Sequence, residues 1–182
     1  VSHPSPVWIT GVGTATPLGH SYRQFADALL AGRSGVGRVA DFPVADHPSQ
    51  VAGQVPVVPC PPGYDPAAFA GMHRLEQLVH WCCVSALRDA GWWDRRRELR
   101  VGLVLGVGAE WHEMWETDAL AGGSKLWEAR GDEESILRRT LRTLGLSGPC
   151  VSVSAACASG NYALSQARDW LELGWVDVCL AG

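Results

Sequence analysis

Cys157 stands where a thiol could serve as a nucleophile. It follows the apolar run PCVSVS (149–154) and opens the helical pattern CASGNYALSQARDWLELG (157–174), inside the run Ala155-Ala156-Cys157-Ala158-Ser159. A strand that turns sharply into a helix tolerates only small side chains two residues before and after its apex, the steric rule behind nucleophile elbows. The apex lies at the amino end of the helix, where free N–H groups and the positive end of the helix dipole favour a thiolate over a thiol. The backbone N–H of Cys157 could also donate to an oxyanion formed on an attacked carbonyl. A thiolate suits thioesters, because it takes over the acyl group and keeps it activated. The candidate site is therefore Cys157 as nucleophile, its own N–H as oxyanion donor, and Ala155, Ala156, Ala158, Ser159 and Gly160 as the elbow. The competing reading is a small core residue, which free cysteine often is; Cys150 and Cys179, inside strand patterns, fit that role.

Other residue patterns exclude other chemistries. The cysteines fall at 60, 82, 83, 150, 157 and 179 with no C-x-x-C pair, so neither a zinc site nor a redox motif is expected, and a reducing, cytoplasmic setting fits. His112 and Glu116 in HEMWE share a helix face at i, i+4, but the second histidine of a zinc-protease pattern is missing, and no metal is expected. The stretch GVGTATPLG (11–19) lacks G-x-G-x-x-G, and Pro17 interrupts the helix start a dinucleotide would need, so no cofactor is expected. With a net charge of -4 and no basic patch, nucleic acid is not an expected partner. The run DRRRELR (94–100) reads as a solvated helix end. No apolar run approaches the roughly 20 residues of a membrane span, and the start of the chain lacks the marks of a signal peptide.

The elements that must position Cys157 follow from periodicity. VWITGVG (7–13) reads as a short buried strand, and SYRQFADALLAG (21–32) as a helix capped by Ser21 and Gly32, with Phe25, Ala28 and Leu29 on one face. Residues 35–66, rich in Pro, Gly and Val, read as irregular, with a short strand at 51–58 limited by Pro56 and Pro59. HRLEQLVHWCCVSALRDAG (73–91) is the clearest helix, with an apolar stripe of Leu75, Leu78, Val79, Cys82, Ala86, Leu87 and Ala90 and a stop at Gly91. RVGLVLGVG (100–108), PCVSVS (149–154) and VDVCLAG (176–182) read as buried strands, and EESILRRTLRTLG (133–145) and 157–174 as helices. Residues 109–133 combine Trp111, Trp115 and Trp127 with many acids. Near-continuous apolar strands alternating with helices predict an α/β layered sheet covered by helices, with ligands gathering at the carboxyl ends of the strands.

VSAACASG with its flanking strand and helix resembles the active-site block of the β-ketoacyl-ACP synthases, the decarboxylating condensing enzymes of fatty acid and polyketide synthesis. Further blocks occur in that family's order: WITGVGTATPLG (8–19), LLAGRSGVG (29–37), DAGW (89–92), RVGLVLGVG (100–108), GP (148–149) and DVCLAG (177–182). The TPLG and ACASG blocks resemble the elongating synthases more than thiolases or initiating synthases. The resemblance implies a thiolase-like fold of two similar α/β halves in five layers, usually homodimeric, with residues 1–182 as the amino-terminal half and the carboxy-terminal half absent. It implies that Cys157 accepts an acyl group, with acyl carrier protein and acyl and malonyl thioesters as partners. The alternatives are a non-catalytic or chain-length subunit of a condensing heterodimer, or another thiolase-fold acyltransferase; retention of Cys157 argues against the subunit.

Three departures accompany the resemblance. His73-Arg74 stands where elongating synthases commonly have Asp-Arg. GAEWHEMWETDALAGG replaces a Gly-rich loop and brings Trp111, Met114 and Trp115 into a region the family uses for dimer contact and the acyl pocket. The two catalytic histidines, lysine and gate loop of the family's second half match none of His3, His20, His47, His73, His80 and His112. The helix after Cys157 carries Ala158, Ser159, Gly160, Ala163, Ser165 and Ala167, small residues that let another layer approach, so this half alone is expected to dimerise or aggregate.

Overall fold

The computed structural model describes residues 6–55, 57–108, 112–123 and 136–182. The chain divides into two compact units, one of residues Thr10–Trp93 and one of Asp94–Gly182 with the segment ending at Ile9.

The first unit is built on its longest helix. Helix α1 (Tyr22–Leu30) begins at Ser21, whose hydroxyl accepts from the Gln24 N–H at 3.2 Å, while the Gln24 side chain accepts from the His20 N–H at 2.9 Å. These two bonds satisfy donors that a helix start otherwise leaves open. Past the end of α1, Gly32 takes a φ of 68°, a conformation that suits glycine. Strands β1 (Gly37–Arg38) and β2 (Val51–Ala52) pair antiparallel, Gly37 opposite Ala52. Helix α2 (Pro66–Ala70) precedes α3 (Arg74–Asp89), which is stopped at Gly91 with φ 74°. The buried residues of α3 are Val79, His80, Cys83, Val84 and Leu87, a face rotated slightly from the expected stripe.

Residues 11–14 pack against α3. VWITGVG does not form the expected buried strand: no strand is assigned over 6–15, and Trp8 and Ile9 are 76% and 79% exposed. A strand needs a neighbour to complete its ladder, and here the backbone runs onto a helix instead. Gly11 and Gly13 lie so close to the Ala86 and Cys82 carbonyls of α3 that neither site has room for a Cβ. The Val12 N–H donates to the Asp89 carboxylate at 2.9 Å, and the Trp81 indole donates to the Thr14 and His20 carbonyls. The Cys82–Ala86 side of α3 therefore faces backbone and is half-buried, while Val79, Cys83, Val84 and Leu87 are buried. The strand expected at 51–58 shrinks to two residues, and its partner lies in the stretch read as irregular.

The second unit holds a three-stranded parallel sheet in the order β4-β3-β5, formed by β3 (Val101–Gly106), β4 (Cys150–Val153) and β5 (Val178–Ala181). Leu103 pairs with Cys150 and Val101 with Val178. Helices α4 (His112–Leu120), α5 (Ile136–Leu144) and α6 (Ser159–Glu172) complete the described elements. Trp111, Trp127 and the first residues of the helix expected at 133–145 lie outside the described residues. Val101, Gly102, Leu103 and Val104 are all buried, as a central parallel strand covered on both faces requires. Val104 packs with Ala163, Ala167, Trp170 and Val176 between sheet and α6. Gly102 leaves room for the Trp170 ring, whose edge would lie 3.2 Å from a Cβ there.

DRRRELR forms turns rather than a helix end, and two of its arginines join elements. The Arg96 guanidinium donates to the Leu144 carbonyl at 2.8 Å, satisfying the end of α5. Arg100 reaches both Asp177 oxygens, at 2.6 and 3.2 Å, and its backbone N–H donates to the same carboxylate at 2.8 Å. It thereby clamps the amino ends of β3 and β5, and its side-chain hydrogen bonds, followed by the backbone one, hold the Asp177 carboxyl below the usual carboxylate range.

Candidate active site

Two residues beyond β4 the chain tightens into a 3₁₀ turn, Ala156–Ala158, and passes directly into α6. The helix pattern expected from Cys157 thus begins as this tighter turn and becomes α-helix at Ser159. Ala156 has a φ of 49°, in the left-handed region where an L-residue costs about 1–2 kcal/mol. The strain is local to the residue before Cys157, and the Cys157 side chain is exposed at the apex. No side chain caps the start of α6, and the Ser159 N–H donates instead to the Ala156 carbonyl of the turn.

Two features at the carboxyl end of β3 hold the corner. The Val107 N–H donates to the Val153 carbonyl at 2.9 Å, fixing the carboxyl ends of β3 and β4 side by side. Gly106 then lets the start of α6 approach the strand: a Cβ there would stand 2.7 Å from the Ser159 carbonyl carbon and 2.8 Å from the Gly160 nitrogen. The Ser159 side chain is buried, and its oxygen accepts from the Ala155 N–H at 2.9 Å. Its own proton faces the Ala156 carbonyl at 2.7 Å and the Val107 carbonyl at 3.0 Å. The Ala158 N–H donates to Ala155, closing the turn.

The structure brings Ala155, Ala156, Cys157, Ala158 and Ser159 together at the carboxyl end of β4, where α/β sheets gather ligands. Gly160 follows in the first turn of α6, but a Cβ on it would meet nothing within 4 Å, so the described residues do not require it to be small. The position that must be small is Gly106. Sequence reasoning missed it, although a glycine closing the apolar run VGLVLG is a signal of close backbone approach.

Three of the other thiols lie in buried surroundings. Desolvation pushes Cys82 up to about 11, Cys83 up to about 12 and Cys179 up to about 12, so these remain protonated near neutrality. His112 and Glu116 are exposed on α4, and no group of three His, Cys, Asp or Glu able to hold a metal occurs among the described residues. His73 serves as the cap of α3, its Nδ1 accepting from the Leu75 N–H at 3.2 Å, and Arg74 donates to the Val55 carbonyl at 2.7 Å. No described helix is long and apolar enough to cross a membrane.

A covered parallel sheet that runs through a strained turn into a helix defines an α/β protein with the amino-terminal half of a thiolase-like fold. Residues 4–182 match the beta-ketoacyl synthase N-terminal domain, and the chain belongs to the β-ketoacyl synthase family. It is 33% identical over 192 residues to a putative polyketide beta-ketoacyl synthase 1 of Streptomyces halstedii, covering 97% of this chain and 45% of that protein. It is 28% identical to the chloroplastic 3-oxoacyl-[acyl-carrier-protein] synthase I of Hordeum vulgare, covering 41% of it. A solved beta-ketoacyl synthase from Burkholderia phymatum STM815 superposes with a TM-score of 0.71 at 25% identity, covering 95% of this chain and 45% of that one. The ishigamide ketosynthase/chain length factor gives a TM-score of 0.73 at 23% identity, covering 96% and 46%. The chain therefore spans about half the length of the curated relatives it matches.

Proposed function

We propose that this chain supplies the nucleophile of an elongating 3-oxoacyl-acyl carrier protein synthase, and that Cys157 is the acyl acceptor. The observation that carries the reading is the exposed Cys157 on a strained 3₁₀ turn between the carboxyl end of β4 and the uncapped start of α6. The Cys157 sulfur attacks the carbonyl of an acyl thioester on the carrier protein. A new C–S bond forms, the old one breaks, and the carrier thiol leaves with the proton. Malonyl-carrier protein then loses CO₂, and the electron pair of the broken C–C bond becomes a carbanion. This attacks the acyl carbonyl on Cys157, the backbone N–H of Cys157 donating to the oxyanion. Collapse releases the 3-oxoacyl carrier thioester and restores the thiolate. Donors for the enolate would come from the second half that the family resemblance implies, in the same chain or a dimer partner.

The test uses the full-length protein, incubated with an acyl-acyl carrier protein and digested for mass spectrometry. The peptide containing Cys157 should gain the mass of the acyl group, and C157A should gain none. Absence of the adduct on Cys157 in a folded, full-length protein refutes the condensing reading in favour of a non-catalytic subunit.

A further inference from the structure

We infer that Ser159 is a positioning residue for acyl transfer, one whose hydroxyl locks the corner that presents Cys157. The inference rests on the reading of Cys157 as the acyl acceptor. It goes beyond the sequence pattern, which asks only that residue 159 be small. In the structure Ser159 is 5% exposed and its oxygen has three backbone neighbours: the Ala155 N–H at 2.9 Å, the Ala156 carbonyl at 2.7 Å and the Val107 carbonyl at 3.0 Å. A hydroxyl has one proton and two acceptor sites. It accepts from Ala155 and shares its proton between Ala156 and Val107. Alanine would meet the demand for a small side chain and provide neither interaction.

The placement of these contacts gives the hydroxyl its consequence. Ala155 and Ala156 are the two residues before Cys157, and Ala156 is held at a φ of 49°. Left-handed backbone at a residue with a side chain persists only where its surroundings over-determine it. Ser159 lies two residues after Cys157, so its side chain bridges the corner from one side to the other. Through Val107 it also ties the corner to the end of β3, across 52 residues of sequence. Gly106 brings the Ser159 backbone within reach of that strand. The hydrogen bonds of the hydroxyl all go to backbone, so it acts through the geometry of Cys157 rather than by moving a proton.

The experiment uses the full-length protein in four forms: wild type, S159A, S159T and S159V. Acylation of Cys157 by acyl-acyl carrier protein is followed in single turnovers, alkylation of Cys157 by iodoacetamide is followed separately, and both are expressed per folded molecule. A misplacement of order 1 Å can cost on the order of 100-fold in rate, so S159A and S159V are expected to acylate about 10- to 100-fold more slowly. The effect should fall on the maximal rate and leave the half-saturating carrier concentration unchanged. S159T, which keeps the hydroxyl, should acylate within about 3-fold of wild type, and should alkylate Cys157 at the wild-type rate while S159A does not. If S159A does not fold, the Thr and Val variants, alike in shape, decide the matter. Equal rates for S159T and S159V, or a lowered melting temperature with an unchanged rate per folded molecule, overturn the inference. If wild type forms no acyl adduct, the functional reading fails, and the alkylation rates still judge whether the hydroxyl sets the corner.

Discussion

Replacing Gly106 by alanine should displace the whole start of α6. A Cβ at Gly106 would lie 2.7 Å from the Ser159 carbonyl carbon and 2.8 Å from both the Ser159 oxygen and the Gly160 nitrogen. Ordinary contact begins near 3.4 Å, and all three neighbours are backbone, so no side chain can swing aside. Relief requires β3 and α6 to separate by about 0.7 Å at the point where Val104, Ala163 and Trp170 are packed just behind. Overpacking of this kind costs about 2 kcal/mol, a factor of about 30 in the folding equilibrium. For a chain of this size that lowers the melting temperature by about 4–8 °C. Gly160→Ala is the matched control: the same methyl is added there, but it meets nothing within 4 Å, and alanine is favoured in a helix by about 0.5–1 kcal/mol. Urea denaturation followed by circular dichroism should therefore move the midpoint down for G106A and leave it unchanged or higher for G160A. A G106A variant as stable as wild type would refute the claim that backbone contact fixes the corner. Equal destabilisation by both variants would show that the helix start, and not the strand–helix approach, is the sensitive element.

Two further outcomes follow from the titratable groups. Iodoacetamide at pH 8 should label exposed Cys157 well before Cys82, Cys83 and Cys179, because a thiol at about 11 has roughly one thiolate in a thousand at that pH and one at about 12 roughly one in ten thousand; peptide mapping that finds Cys83 or Cys179 labelled as fast as Cys157 in the native protein would contradict the burial described. The lowered carboxyl of Asp177 adds stability that is present above the ordinary carboxylate value and is lost as pH falls through its folded value, so unfolding midpoints measured from pH 7 to pH 2 should fall less steeply in D177N than in wild type, and matching slopes would remove the Arg100 clamp as an acid-sensitive joint.

The features legible in the sequence are those whose physics is local. Helix α3 shows in a 3.6-residue apolar spacing with a glycine stop, and β3, β4 and β5 show as short apolar runs between turns. The corner at Cys157 is legible because sharp turns restrict side-chain size within two residues. VWITGVG looked like a strand for the same local reason, but a strand is not local. Whether it forms depends on a neighbour to pair with, and here Gly11 and Gly13 place the backbone on α3 instead. DRRRELR likewise has the composition of a solvated surface, and nothing within seven residues reveals that Arg96 meets the end of α5 or that Arg100 meets Asp177.

The sequence by itself therefore determined helix α3, the strands β3, β4 and β5, the layered α/β class and the place of the cysteine, since each depends on periodicity or sterics within a few residues. Only the tertiary structure decided the strand order, the need for glycine at 106 and the partners of the Ser159 hydroxyl. Those depend on which distant backbone atoms arrive within about 3 Å of one another, here Ser159 and Val107, 52 positions apart. Spacing along a chain carries no record of such meetings until packing brings the strands and helices into register.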